Sequence, residues 1–218
     1  MIRVARAALE AVLPAVCSDC GQLFRLAAGT PVRPAAPAAV DDWFRFLLRP
    51  HLCPGCMQRF KAVASPMCPR CGEPFVSPHG LDHLCGICQA QPPRFMAARS
   101  VGHYEGPLRA LIHHYKYLGR ERLGEPLGRL LWEVLRRDWE PENIDRVLPV
   151  PLHPRRMRQR GFNQAHTLIR LWPALARASG VRVAKHWVDA RVLTRCRPTP
   201  PQTGLTKTQR ADNLTRAF

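Results

Sequence analysis

The chain has 218 residues, a formal net charge of +17 and nine cysteines. That length is enough for one α/β domain plus a small accessory module, and no apolar run is long enough to span a membrane. Of the 33 basic residues 29 are arginine and four are lysine; such a field favours anionic partners: phosphorylated metabolites, nucleic acid or a membrane surface. Abundant Arg, Ala and Pro together also reflect a GC-rich genome, so the arginine clusters at 155–160 and 191–216 carry more weight than the total.

The first residues, MIRVARAALEAVLPAVC, faintly resemble a signal peptide. Glu10 and Pro14 interrupt the apolar stretch, and Val16 before Cys17 does not suit lipoprotein processing. The segment therefore reads as an amphipathic helix of a cytoplasmic protein. Residues 1–92 are cysteine-rich and loop-rich. An insertion, LAAGTPVRPAAPAAV, has the Ala/Pro/Gly bias of a flexible excursion, and DDWFRFLL after it reads as a short helix packed under a metal module.

Eight of the nine cysteines fall into four CxxC pairs: Cys17/Cys20, Cys53/Cys56, Cys68/Cys71 and Cys85/Cys88. A CxxC turn holds two sulfurs at the separation a tetrahedral ion requires, so four turns make two four-cysteine sites for structural zinc. CPRCG at 68–72 has the proline and glycine that zinc-knuckle turns favour. A thioredoxin-type redox role is the competing reading; that motif follows a strand in a βαβ context and is not repeated four times. Sequential pairing (17/20 with 53/56, 68/71 with 85/88) is preferred, and interleaved pairing stays open because 11 residues separate Cys56 from Cys68. Cys196 reads as incidental.

From about Pro93 the cysteines give way to α/β periodicity. ARSVGHYE alternates like a strand. Gly106-Pro107 opens a helix with Leu108, Leu111, Ile112, Tyr115 and Leu118 on one face, and Pro126 opens another with Leu127, Leu130, Leu131, Val134 and Leu135. Val147, Leu148, Val150 and Leu152 read as a buried strand. A basic loop with Arg155, Arg156, Arg158 and Arg160 follows, then Gly161, and Asn163 caps a helix through Ala178 that Pro173 should break and Gly180 ends. A strand end, guanidinium forks and a helix N-terminus together offer a phosphate site; a solvated basic loop is the plainer alternative. WVDARVL at 187–193 reads as a strand, and the tail is a proline-rich loop leading into a helix with capping-box spacing at Thr206 and Gln209. Alternating strands and helices point to a mostly parallel sheet with its ligand site beyond the strand ends.

These segments resemble the ComF family of bacterial competence-associated proteins. The resemblance rests, in order, on the CxxC pairs, YEGPLRALIHHYKYLGR at 104–120, PVPLHPRRMRQRGFNQA at 149–165 and RPTPPQTGLTKTQRADNLTRAF at 197–218. It implies an N-terminal helix and double zinc ribbon over 1–92 and a type I phosphoribosyltransferase-like parallel sheet over 93–218, with a role in DNA uptake or the use of imported DNA. It also implies Mg with phosphoribosyl pyrophosphate in an intact homologue. The basic segment would lie where leaving pyrophosphate needs charge, with Arg160 and the N–H groups near Gly161–Gln164 foremost. Gln202, Thr203, Lys207, Arg210 and Asn213 would lie on the lid.

The family's pattern continues with an acidic pair and a Thr/Gly loop of the form DDVxTTG, whereas this sequence ends at Phe218. On that reading the sheet is incomplete at the C-terminus, and the chain is expected to be truncated, poorly stable and inactive as a transferase. Asp41-Asp42 has no Thr/Gly loop after it and does not replace the motif. The alternative function is a zinc-ribbon module that binds single-stranded DNA for a DNA-uptake complex, without transferase activity.

Overall fold

The computed structural model describes residues 14–26, 32–35, 38–77 and 79–218. Most of the expected N-terminal amphipathic helix therefore lies outside the described residues, as do 27–31 and 36–37 of the insertion. The architecture is mixed α/β and mostly helical. Strand β1 (Ala15–Val16) pairs antiparallel with β2 (Leu23–Phe24), Ala15 opposite Phe24 and Val16 opposite Leu23. Helices follow at α1 (Val40–Leu48), α2 (Pro54–Gln58), α3 (Gly86–Ala90), α4 (Gly106–Tyr117) and α5 (Gly124–Asp138). After these come α6 (Pro154–Arg160), α7 (Gln164–Ile169), α8 (Trp172–Ala178) and α9 (Lys207–Leu214).

The apolar stripes account for the packing. Helix α1 buries Val40, Trp43, Phe44 and Leu48 at helical spacing, α4 buries Leu108, Leu111 and Tyr115, and α5 buries Leu127, Leu130 and Val134. These residues share one core with Leu52, Met57 and Phe60, in which the Phe44 and Phe60 rings stack 3.7 Å apart. Cys17, Cys53 and Cys56 belong to the same core, which draws residues from both sides of position 92.

A second core gathers Trp132, Ile169, Trp172, Ala176 and Trp187. Each buried indole of α8 and the segment after it finds an acceptor: Trp172 Nε1 donates to the Gly128 carbonyl at 2.9 Å and Trp187 Nε1 to that of Ile144 at 2.7 Å. A buried indole N–H without a partner would carry a desolvation penalty. The two cores meet through α5, whose Gly124 and Gly128 lie one turn apart under α7. A Cβ at Gly128 would stand 2.0 Å from the Leu168 carbonyl oxygen, and one at Gly124 2.7 Å from the Thr167 methyl. Only glycine permits that approach. Pro173 does break the expected 163–178 helix, into α7 and α8.

The expected strands over 98–105, 146–152 and 187–193 shrink to single bridges, Ala62 with Gly102 (antiparallel) and Val147 with Val188 (parallel). The second bridge is held by Val147 N–H to the Trp187 carbonyl at 2.7 Å and Asp189 N–H to the Val147 carbonyl at 3.1 Å. It stops there because Pro149 and Pro151 have no N–H with which to continue a ladder. On the other side the Asp189 carboxylate accepts from Arg191 N–H at 2.9 Å and turns the chain away. Leu148 and Val150, expected to be buried, are consequently exposed.

Candidate metal centres and anion cavity

The two cysteine clusters are built the same way. In each, the first CxxC forms a knuckle: Cys17 N–H donates to the Gln22 carbonyl (2.9 Å) and Gly21 N–H to that of Cys17 (3.0 Å). Cys68 and Gly72 repeat this with Glu73 and Cys68 carbonyls at 2.8 and 2.9 Å. Gly21 and Gly72 supply φ of +76° and +73°, conformations that a side chain resists. The second CxxC opens a short helix, with Cys53 at the start of α2 and Cys85 at the start of α3. Their backbone N–H groups point back at the first knuckle, onto Cys17 Sγ at 3.4 Å and Cys68 Sγ at 3.5 Å.

The sulfurs of Cys17, Cys20, Cys53 and Cys56 all lie within 4.8 Å of one another, as do those of Cys68, Cys71, Cys85 and Cys88. The pairing is thus sequential. Cys20 Sγ is 3.8 Å from Cys53 Sγ, and Cys71 Sγ is 3.7 Å from Cys85 Sγ. A tetrahedral ion with bonds of ~2.3 Å to sulfur spaces its ligands ~3.8 Å apart, so both clusters fit zinc. Burial raises the Cys17 thiol, but N–H groups of Cys53, Cys20 and Asp19 outweigh it and bring the pKa down to about 6. Cys68 reaches about 6 by the same balance, through Cys71, Cys85 and Arg70. Burial and neighbouring thiols push Cys56 well up and Cys88 to about 12. A divalent cation among four such sulfurs would favour the thiolate form of them all.

The basic segment expected to be a loop is a helix, α6. His153 caps it, Nδ1 accepting from Arg155 N–H at 3.2 Å, with Pro154 in the first turn, where its missing N–H costs nothing. The backbone reverses at Gly161, whose N–H returns to the Met157 carbonyl at 2.8 Å. Asn163 then caps α7: Oδ1 accepts from Ala165 N–H (2.9 Å) and His166 N–H (3.3 Å), and Nδ2 donates to the Val150 carbonyl (3.3 Å). Asn163 therefore occupies two of the backbone donors that an unpaired helix start would have presented.

Against α6 lies a cavity of about 580 Å³, closed by the end of α4 and by the tail. Among the described residues its cations are Lys116, Arg155, Arg156, Arg160 and Arg195, and no carboxylate lines it. Gln202 and Thr203, expected on the lid, stand in its wall, whereas Arg158, Gly161, Asn163, Gln164, Lys207 and Arg210 do not line it. Gln164 acts from behind: Oε1 accepts from Arg160 Nη1 at 3.0 Å, while the backbone carbonyl takes the Tyr115 hydroxyl at 2.7 Å. The Arg160 guanidinium also sits over the Tyr117 ring, 5.3 Å from its centre.

Sequence reasoning placed Arg195 only within the 191–216 arginine cluster and gave neither it nor Lys116 a role in the site. The available signal for Arg195 was an arginine beside the TPPQTG run with no acid nearby. Arg195 donates to the Thr199 hydroxyl and lies 5.4 Å from the centre of the Phe218 ring. Asn213 Nδ2 to the Pro200 carbonyl (3.2 Å) and Arg197 to the Asn213 and Thr215 carbonyls (2.9 Å each) hold the tail loop in shape. Arg195 Nε and Gln202 Nε2 are buried donors without a partner, which leaves hydrogen-bonding capacity for a ligand.

Neither a family model nor a solved structure matches the chain. The DNA utilization protein YhgH of Salmonella typhimurium is 34% identical over 189 residues, 84% of this chain and 73% of that protein. Competence protein F of Haemophilus influenzae is 31% identical over 176 residues, 77% of this chain and 69% of that protein. The chain belongs to the ComF family. Competence protein ComFC of Bacillus subtilis is similar at 26% identity over 131 residues, 56% of this chain and 52% of that protein. In this ComF-family chain the CxxC pairs form the two sulfur clusters, while segments 104–120, 149–165 and 197–218 all contribute to the cavity wall.

Proposed function

We propose that this ComF-family protein serves DNA uptake or the use of imported DNA in the cytoplasm. Two structural zinc ions hold its N-terminal part, and a phosphoribosyltransferase-like part over 93–218 holds a phosphorylated ligand of the phosphoribosyl pyrophosphate class. The family and the names of the relatives support the competence role. The observation that carries the ligand reading is the cavity itself, five cations and no carboxylate around about 580 Å³, a volume within the usual range for small-ligand sites. Charge-assisted forks from Arg155, Arg156 and Arg195 suit phosphate oxygens. With no carboxylate in the wall, the described residues fit the anion and do not fit a magnesium ion of their own, so no transfer step is assigned to them.

Calorimetric titration of the full chain with pyrophosphate and with phosphoribosyl pyrophosphate tests this. Saturable binding to one site, weakened by Arg155→Ala and by Arg195→Ala, is expected; inorganic phosphate binding as tightly as either ligand, with no effect of the two substitutions, would sink it.

A second reading, a single-stranded DNA module, draws on Tyr117, which is 55% exposed at the cavity rim with His113 5.0 Å away, between centres. A cationic groove with an adjoining aromatic face is the usual platform for single strands. If all five cavity cations neutralise phosphates, log affinity falls against log salt with a slope of roughly −3.5. A flat slope removes this reading and leaves the small-ligand one.

A further inference from the structure

The two sulfur clusters share a backbone plan and differ in what surrounds them. Around the first, Arg59 donates from Nη2 to Cys56 Sγ at 3.1 Å and pairs with Asp19 at 2.5 Å, so a guanidinium lies against the Cys56 sulfur. Arg120 Nη1 reaches the Ser18 hydroxyl at 3.4 Å from the far end of α4 and fastens the knuckle from another side. Cys17, Cys53 and Cys56 are part of the main apolar core, with Trp43, Phe44 and Leu108.

The second cluster has neither device. No arginine is recorded on its sulfurs among the described residues, and none of its cysteines joins either core. Cys68 and Cys88 are buried and Cys71 and Cys85 half-buried, against three buried cysteines and an exposed Cys20 in the first cluster, while nearby Leu81 and Ile87 are 86% and 68% exposed. Its link to the helical part is at the backbone. Arg99 Nη1 donates to the Pro69 carbonyl at 2.9 Å while its Nε faces Asp138 at 3.3 Å.

A zinc ion with four thiolates carries a net charge of −2, and a guanidinium hydrogen-bonded to one thiolate offsets part of it. Partners of this kind control metal affinity and exchange as well as ligand orientation. Exchange also requires the ligand turns to open, and since Cys20 is itself exposed, what sets the first cluster apart is the core that holds Cys17, Cys53 and Cys56 in place.

Resting on the zinc reading above, we infer that the two metal sites are unequal. The Cys68/Cys71/Cys85/Cys88 site exchanges its ion readily without disturbing the helical part. The Cys17/Cys20/Cys53/Cys56 site holds its ion as part of the core, with Arg59 as the residue that positions and charge-balances Cys56.

The test is zinc release from the zinc-loaded full chain into excess of a chromogenic chelator, followed alongside far-ultraviolet circular dichroism. Two phases of one ion each are expected, the fast one leaving helicity intact and the slow one accompanied by its loss. Arg59→Met should speed the slow phase about tenfold, within the ~10–100-fold control that such outer partners exert, and leave the fast phase unchanged. Arg59→Lys should restore part of the difference. Cobalt substitution gives a readout independent of folding: the thiolate-to-cobalt band of the slow site should shift in Arg59→Met. Cys88→Ser should abolish the fast phase alone. Fewer than two ions per chain would overturn the zinc reading itself. Two ions released in a single phase, a fast phase that survives Cys88→Ser, or an Arg59→Met slow phase and cobalt band like the parent's would overturn the inequality while leaving that reading intact.

Discussion

The sulfur clusters and the arginine cavity are assembled by opposite means. Each cluster is made from two short turns whose backbone N–H groups, glycine and cysteine spacing nearly determine the sulfur positions before any packing is considered. The cavity is made from side chains on three separate segments, the end of α4, α6 and the tail. The first is local geometry that fits a metal; the second is long-range geometry that suits an anion. Disturbing one should leave the other's local features recognisable, except at the first cluster, which shares the main core.

The largest effect is therefore expected from removing a sulfur of that shared cluster. Zinc binding in small structural sites is worth ~10–16 kcal/mol, more than the ~5–15 kcal/mol net stability of most domains. Cys53→Ser should abolish the cooperative urea transition, whereas Cys88→Ser should keep it. Equal loss in both variants would erase the distinction between the clusters.

Next comes Gly128→Ala, which forces a methyl onto the Leu168 carbonyl oxygen. A cost of about 3 kcal/mol is expected, at the upper end for overpacking, measurable as a lower urea midpoint with zinc content unchanged. Gly124→Ala, which meets only a threonine methyl, should cost less. Arg195→Ala should weaken pyrophosphate binding about tenfold or more, since a hydrogen bond to a charged group is worth ~1.5–3 kcal/mol, and Lys207→Ala should change it little.

The smallest effect lies at Asp189. Arg191 N–H first, and then the Arg146 guanidinium, hold its carboxyl below the usual value despite the opposing desolvation. A carboxyl with a lowered folded-state pKa stabilises above its unfolded-state value, and that contribution disappears as pH falls through the lowered one. Asp189→Asn should thus be less stable than the parent at neutral pH, and the difference should begin to shrink in acid urea titrations below about pH 4 and vanish only below the lowered value.

The clusters were legible in the sequence because CxxC spacing is itself the ligand geometry, and the sequential pairing follows the nearest knuckle and helix in the chain. The stripes of α1, α4 and α5, the break at Pro173 and the capping box at Thr206 and Gln209 were equally local, and the structure has them. The strand at 146–152 was misread because apolar alternation hid the alternation of Pro149 and Pro151, which removes the donors a ladder needs. Arginine spacing around 155–160 suggested a loop, although Pro154 and Gly161 bracket a helix of seven residues. The place of Arg195 opposite α6 and the Gly124/Gly128 contact could not be seen in one dimension, since both depend on which distant segment arrives beside them.

The three indoles of the second core have an optical consequence. Trp132, Trp172 and Trp187 lie 5.9 to 6.3 Å apart, ring centre to ring centre, close enough for their excited states to mix, whereas Trp43 sits in the other core. The far-ultraviolet dichroism of the native protein should therefore carry, in the strong indole band, an exciton couplet from the trio. Its collapse would report the parting of α5 from α8, with no added label and no response to events around Trp43.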